Sequence, residues 1–306
     1  MAKRTLWQFL LLFSMFAFAT TYPISKVAVT HASPFAVAAI RYLSANLILL
    51  PFYLIERKKL KAPVRVRDFI LMNVWGLLGV AVFALLLLFG VRLSNSSNGS
   101  LLINTQPIFA VFFAPLLRKE RFSWLKLISA AVGIGGMYFV VTGGQAQGVS
   151  FFREMLLGNC ILLGASVSMT LYTLFLTSYV VRYGGIISTF MCMLASSLVI
   201  AVLAVTQGNG LREFSLISSR DFLLVLYSGI LGTALPYVLF NKAMAVLSFT
   251  TATAFKVLIP VFGVLLSLLF LGETHSWLSY LGMGIVFLSL GFIVFIKKEP
   301  SLRQKA

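Results

Sequence analysis

Charge is what this chain lacks. Lys, Arg, Asp and Glu make up 11% of its 306 residues, and only eight of those residues are acidic. A soluble domain carries about 25% charged residues, so the deficit excludes a soluble globular protein of this length. Histidine and cysteine are as scarce, two of each. A membrane protease or acyltransferase needs an activated nucleophile beside a base, or a metal cluster. His31 and His275 fall in connections between apolar runs, which leaves enzymology without its parts. Cys160 and Cys192 lie inside apolar runs, where lone cysteines serve as small packing residues, so they carry no redox information. No ATP-binding motif appears, and neither a cofactor nor a metal is expected.

What the chain has is length in apolar segments. Hydrophobic residues account for 59% of it, and a run of about 20 spans the hydrocarbon core of a bilayer. Ten runs qualify, at about 5–28, 34–55, 69–92, 96–117, 122–142, 155–181, 185–206, 220–243, 248–271 and 276–296. The expected fold class is therefore an all-α polytopic membrane protein with ten transmembrane helices. The first run, with Lys3-Arg4 before it and Ala17-Phe18-Ala19 within it, also has the form of a cleavable signal peptide. Its removal would break the repeat described below, and the ten-span reading retains it.

The net charge of +17 orients the chain and implies no nucleic-acid partner. Eighteen of the 25 basic residues fall on one side of a ten-span layout, among them Arg57, Lys58, Lys59, Lys61, Arg65 and Arg67 in one short connection. About five fall on the other: Lys26, Arg92, Arg153, Arg212 and Arg220. The basic side faces the cytoplasm, which places both termini there and the protein in a cell (inner) membrane.

Shifted by 153 residues, the sequence aligns with itself without a gap over about 50 positions. Gly76 and Gly79 meet Gly229 and Gly232; Pro107 meets Pro260; Glu120 meets Glu273; Ser123-Trp124-Leu125 meets Ser276-Trp277-Leu278. Each unit holds five spans, an odd number, so the second enters the membrane from the opposite side. Inverted repeats belong to secondary transporters, whose substrate site lies near the midplane between the halves.

Two segments, "SNGSLLINTQPIFAVFFAPLLRKERFSW" and "TTATAFKVLIPVFGVLLSLLFLGETHSW", resemble the fourth helix of an EamA repeat, with its mid-helix proline and terminal glutamate. The opening "TTYPISKVAVTHASPFAVAAIRYLSANLILL", with Lys26, Pro34 and Arg41, is similar to that family's first two helices. The resemblance divides the chain into two EamA repeats of the drug/metabolite transporter superfamily, 1–145 and 146–306, the second with a short cytoplasmic tail. It implies ten helices around a central cavity that move small metabolites, often outward. Arg118-Lys119-Glu120 departs from the glycine-glutamate pair that Gly272-Glu273 keeps.

The polar residues within the runs are few enough to weigh singly. All eight acids, Glu56, Asp68, Glu120, Glu154, Glu213, Asp221, Glu273 and Glu299, sit at run ends or between runs. Two bases lie deep: Arg41, and Lys256 about eight residues into an apolar helix over 250–273. A charge at the bilayer centre costs about 2.5–3.5 kcal/mol on insertion scales. Snorkelling accounts for Lys26 and Lys242 at run ends better than for Lys256. A base with no acid at its depth is satisfied by carbonyls, water, or an anionic group carried in by substrate. Ser97, Ser100 and Asn104 recur at helical spacing, and Thr253 with Lys256 and Pro260 forms the equivalent face of the second repeat. Interhelical hydrogen bonding explains the same hydroxyls. Asn73, Trp75, Tyr22, Tyr237 and Asn241 are weaker candidates for the path. Pro107 and Pro260 each remove a helical hydrogen bond and serve as hinges or static kinks. Glu120 and Glu273 are expected to cap helix ends or pair with nearby bases.

These residues predict a transporter working by alternating access, for a small-molecule substrate, most readily a carboxylate-bearing one such as an amino acid. A phosphorylated or neutral cargo in the same fold is the alternative, followed by a non-transport membrane protein, an enzyme or a scaffold. Partners are that substrate and the lipid bilayer; ion or proton coupling and oligomeric state stay open.

Overall fold

The computed structural model describes residues 2–60, 62–118, 123–142, 149–207, 210, 212, 214, 217–247, 255, 256 and 258–295. Those residues form helices and no strand. Seven helices are long and apolar enough to cross a membrane, and three shorter apolar ones accompany them. In chain order they are α1 (Ala2–His31), α2 (Pro34–Arg57), α3 (Val66–Leu93), α4 in two halves (Ser96–Ile103 and Gln106–Arg118), α5 (Trp124–Thr142), α6 (Val149–Tyr183) and α7 (Gly185–Thr206). Then come α8 (Ser219–Gly229, continuing through Ile230–Ala234 into Leu235–Leu247), α9 (Leu258–Leu271) and α10 (Trp277–Phe295).

Local chemistry sets the boundaries. Ser33 caps α2 by accepting the Ala36 amide at 3.2 Å, with Pro34 at the first helical position. Asn95 accepts the Asn98 amide at 2.7 Å to start α4, and Ser218 accepts that of Asp221 at 3.1 Å to start α8. Each side-chain oxygen satisfies a donor that a helix start leaves open. The exterior is apolar and much of the polar content is inside. Phe9, Leu47, Leu116, Leu198, Leu269 and Phe292 face outward, whereas Ser14, Ser96, Ser100, Asn159 and Ser196 are fully buried. That inversion suits lipid as the outer medium.

Two irregularities lie where the aligned glycines and prolines stand. α3 widens into a π turn over Leu77–Val82 and α8 over Ile230–Ala234, beginning 153 residues apart. Gly76 precedes the first, and a Cβ there would lie 2.1 Å from the Cys192 carbonyl oxygen of α7. Gly229 precedes the second, and a Cβ there would lie 2.4 Å from the Arg41 carbonyl oxygen of α2. Each widened turn thus needs glycine to bring two backbones together. The second irregularity is a break in α4 at Asn104 and Thr105, just before Pro107, and a turn at Lys256, just before Pro260.

The packing exchanges partners between the halves. α2 packs along α7 and α5 along α10; α1 packs on α8 and α9, while α6 packs on α3 and α4. α3 meets α7 as α8 meets α2. Aromatic pairs lock these seams: Tyr53 stacks on Phe190 at 4.4 Å between ring centres, and Trp75 on Phe175 at 3.7 Å.

Candidate functional site

Arg41 is the deepest charge on α2, with 6% of its surface exposed. Its Nε donates to the Thr233 hydroxyl at 3.1 Å, within the π turn of α8. Its Nη1 is buried and has no hydrogen-bond partner. The widened turn explains the geometry: Thr233 donates onward to the Ser228 carbonyl at 2.8 Å, five residues back, and so presents its oxygen to the guanidinium. The Arg41 Cζ also lies 5.4 Å from the Tyr42 ring centre.

From Thr233 the same face of α8 carries Tyr237 and Phe240, at i, i+4 and i+7. Phe18 of α1 meets Tyr237 edge-on at 5.1 Å. Lys256 places its Nζ 4.7 Å from the centre of the Phe240 ring, inside cation–π range. The face therefore joins Arg41 at one end to Lys256 at the other.

The local setting of Lys256 corrects the sequence expectation. It lies in a turn, and α9 starts only at Leu258, where an unbroken helix was expected over 250–273. The Ile259 amide bonds back to the Lys256 carbonyl at 3.1 Å, closing a tighter turn than an α-helix makes. Pro107 and Pro260 consequently stand in the first turn of a restarted helix, where the missing N–H is lost at little cost. At the α4 break, Gln106 Nε2 donates to the Ile103 carbonyl at 3.2 Å, the carbonyl that Pro107 leaves without its helical donor.

Asn104 sits in that break and donates to the Tyr22 hydroxyl at 2.9 Å and to the Ser100 carbonyl at 2.6 Å. Tyr22 contributes to the same interior through α1. Ser100 points elsewhere: its hydroxyl bonds to the Ser97 carbonyl at 2.8 Å, and its side chain lies where a Cβ on Gly263 would meet it at 2.3 Å. It belongs to the close crossing of α4 and α9. Asn73 lies on the α3–α7 seam, donating to the Phe69 carbonyl at 2.8 Å and accepting the Ala195 amide at 3.2 Å. Thr253 lies outside the described residues, as do Glu120 and the side chain of Asn241. Thr233, Tyr42 and Phe240 were missed in the sequence; the i, i+4, i+7 spacing of Thr233, Tyr237 and Phe240 was the signal available.

The described acids are occupied or distant from this face. Asp68 accepts from Arg182 at 2.8 Å and from the Tyr183 hydroxyl, and Asp221 pairs with His31 at 3.1 Å. Glu56 pairs with Lys59, and Glu154 is exposed. Glu273 caps a helix, as expected, but one from the opposite half of the chain. Gly272, at φ 61°, ends α9 in the left-handed region and turns the chain toward the start of α4. There the Glu273 carboxylate accepts the Ser96 amide at 2.7 Å, the Ser97 amide at 2.9 Å, and both serine hydroxyls, at 3.0 and 2.6 Å. Lys26 closes the neighbouring end, donating to the carbonyls of Val91, Arg92 and Ser94 at the end of α3. Beside Glu273, burial holds the His275 imidazole below its usual range, partly opposed by the glutamate charge.

Among the described residues no three His, Cys, Asp or Glu side chains gather. The interior face is made of two cations, hydroxyls and aromatic rings, and such a face can bind and orient an anion. The EamA-like transporter model matches residues 5–142 and again 156–295. The chain belongs to the EamA-like transporter family. An uncharacterized transporter of Clostridium kluyveri is 29% identical over 89% of this chain and 88% of its own. A probable terminal-alkyne amino-acid exporter of Streptantibioticus cattleyicolor is 26% identical over 71% and 70%. A solved crystal structure superposes with TM-score 0.66 over 97% of both chains at 16% identity, a likeness of fold alone. The family's members are membrane transporters, not enzymes.

Proposed function

We propose that this EamA-type protein carries a small carboxylate-bearing metabolite outward by alternating access between two inverted five-helix repeats, 1–145 and 146–306. Both termini lie in the cytoplasm, and the membrane is the cell (inner) membrane. The observation that carries the reading is Arg41: a permanent cation, buried, with Nη1 unpartnered and no described carboxylate facing it. A buried charge left unpaired is strongly unfavourable, and an arriving carboxylate relieves it with a charge-assisted bond. Lys256, over the Phe240 ring, is the second base of the same α8 face.

Several features support the two-repeat mechanism. The π turns begin at the repeat offset, Pro107 and Pro260 stand at it just after a break and a turn, and the helix packings exchange between halves. Broken helices at a midplane site are how transporters expose backbone groups to substrate. The relative named as an amino-acid exporter favours a carboxylate among cargoes.

Counterflow in proteoliposomes tests the reading. Arg41→Met should raise the half-saturating concentration of a carboxylate substrate at least about thirtyfold, the equivalent of about 2 kcal/mol for a lost buried charge pair. Arg41→Lys should restore part of it. Unchanged transport by a folded Arg41→Met protein defeats the proposal.

A further inference from the structure

We infer that the Arg41 site takes a substrate with two anionic ends, a short dicarboxylate, rather than a monocarboxylate or a zwitterion. The inference rests on the reading of Arg41 as an anion receptor and adds a second anchor, Lys256.

Thr233, Tyr237 and Phe240 share one face of α8, and a cation sits at each end of that stretch: Arg41 on Thr233 and Lys256 over Phe240. The residues the two cations touch, Thr233 and Phe240, are seven positions apart on α8, about 10 Å of rise at 1.5 Å per residue, and we take that rise as the spacing of the two anchors. A charge-assisted bond of about 2.8 Å at each end leaves roughly 4–5 Å between the two anionic groups, the span of a four- or five-carbon dicarboxylate. Tyr237, with Phe18 edge-on against it, stands between the anchors and offers the methylene chain an apolar surface.

Charge balance decides between substrate classes. With both bases protonated the face carries a double positive charge. Glu56, Asp68, Glu154, Asp221 and Glu273 are engaged elsewhere or exposed, and the stretch 241–257 that leads to Lys256 contains no acid at all. A zwitterion brings no net charge and leaves the double positive charge standing. A monocarboxylate neutralises one base and strands the other. A dianion neutralises both.

The test uses the purified full-length protein and four probes: succinate, glutarate, butyrate and leucine. Midpoints of thermal unfolding give apparent affinity, and counterflow gives transport. Glutarate and succinate are expected to bind at least about tenfold more tightly than butyrate or leucine, a difference of about 1.4 kcal/mol. Lys256→Met should abolish the preference for glutarate over butyrate, and Lys256→Arg should keep it. The unliganded midpoint of Lys256→Met establishes that the variant is folded. If butyrate or leucine binds as tightly as glutarate, and Arg41→Met abolishes binding of all probes, the two-ended inference is overturned and the single-anion reading stands. If no carboxylate shifts the midpoint or exchanges in counterflow, the reading of Arg41 falls together with it.

Discussion

Glu273 offers the sharpest quantitative test of how the two halves hold together. Its carboxylate accepts four bonds at the start of α4, two from amides and two from serine hydroxyls. The helix it caps, Ser96–Ile103, is eight residues long. A segment that short is not helical on its own in water, so its start depends on the groups that fix it. A hydrogen bond to a charged group contributes about 1.5–3 kcal/mol, and a capping side chain about 0.5–2 kcal/mol. Bonds that share one partly exposed carboxylate do not add, so Glu273→Ala is expected to cost about 2–4 kcal/mol. Glu273→Gln retains one acceptor oxygen and turns an NH2 toward donors, which should cost at least about half as much.

Equilibrium unfolding of the purified protein by SDS in mixed micelles reads these differences. Ser97→Ala is the suitable partner for a double-mutant cycle, because the Ser96 hydroxyl also bonds to that of Ser267 at 2.5 Å. The cycle should return a coupling of at least about 1 kcal/mol. A Glu273→Ala protein within about 0.5 kcal/mol of the parent, or strict additivity with Ser97→Ala, would show that the carboxylate faces water and caps nothing.

Other consequences follow from the packing and the charges. Gly76→Ala drives a methyl group into the Cys192 backbone and should destabilise by about 1–3 kcal/mol or more, whereas Gly135→Ala, with nothing near its Cβ position, should be neutral in the same assay. His275 is held neutral by burial; its native form binds protons less readily than the unfolded chain, so stability should be complete above about pH 6.5 and decline as pH falls below it. His275→Gln should flatten that slope in unfolding curves taken between pH 7 and 5, and an unchanged slope would assign it to other groups. Reporter fusions after Lys61 should read cytoplasmic and after Gly208 exterior; the reverse pattern would invert the proposed topology.

Much of the fold could be read from the sequence because lipid imposes simple rules. Run lengths and the shared glycines and prolines are one-dimensional signals. The expected runs at 34–55, 96–117 and 185–206 agree closely with α2, α4 and α7. Arg41 was legible for the same reason, as a lone base at depth. Thr233 was harder to read, because its spacing with Tyr237 and Phe240 gives no sign of the π turn that presents its hydroxyl to Arg41. Ser100 was misleading in the opposite sense: its spacing with Asn104 is helical, but Gly263 lets α9 cover it. The turn at Lys256 was hidden because an apolar run ahead of a proline is compatible with both a continuous and a restarted helix.

The two buried aspartates show where symmetry in the sequence stops determining chemistry. Asp68 and Asp221 stand 153 residues apart, each in the first turn of its helix, with 8% and 5% of their surface exposed. Both occupy the end of a helix that favours an anion, and the alignment alone places them there. Their partners from other helices come from the far ends of α6 and α1 and differ. Asp68 takes a guanidinium and a phenol, Arg182 and Tyr183; Asp221 takes an imidazole and a hydroxyl, His31 and Ser218. A guanidinium is charged at every accessible pH, while an imidazole gains its charge only on protonation. In the proposed inverted topology the pairs lie on opposite faces of the membrane. Two equivalent backbone positions have thus acquired different partners through the residues that happen to reach them.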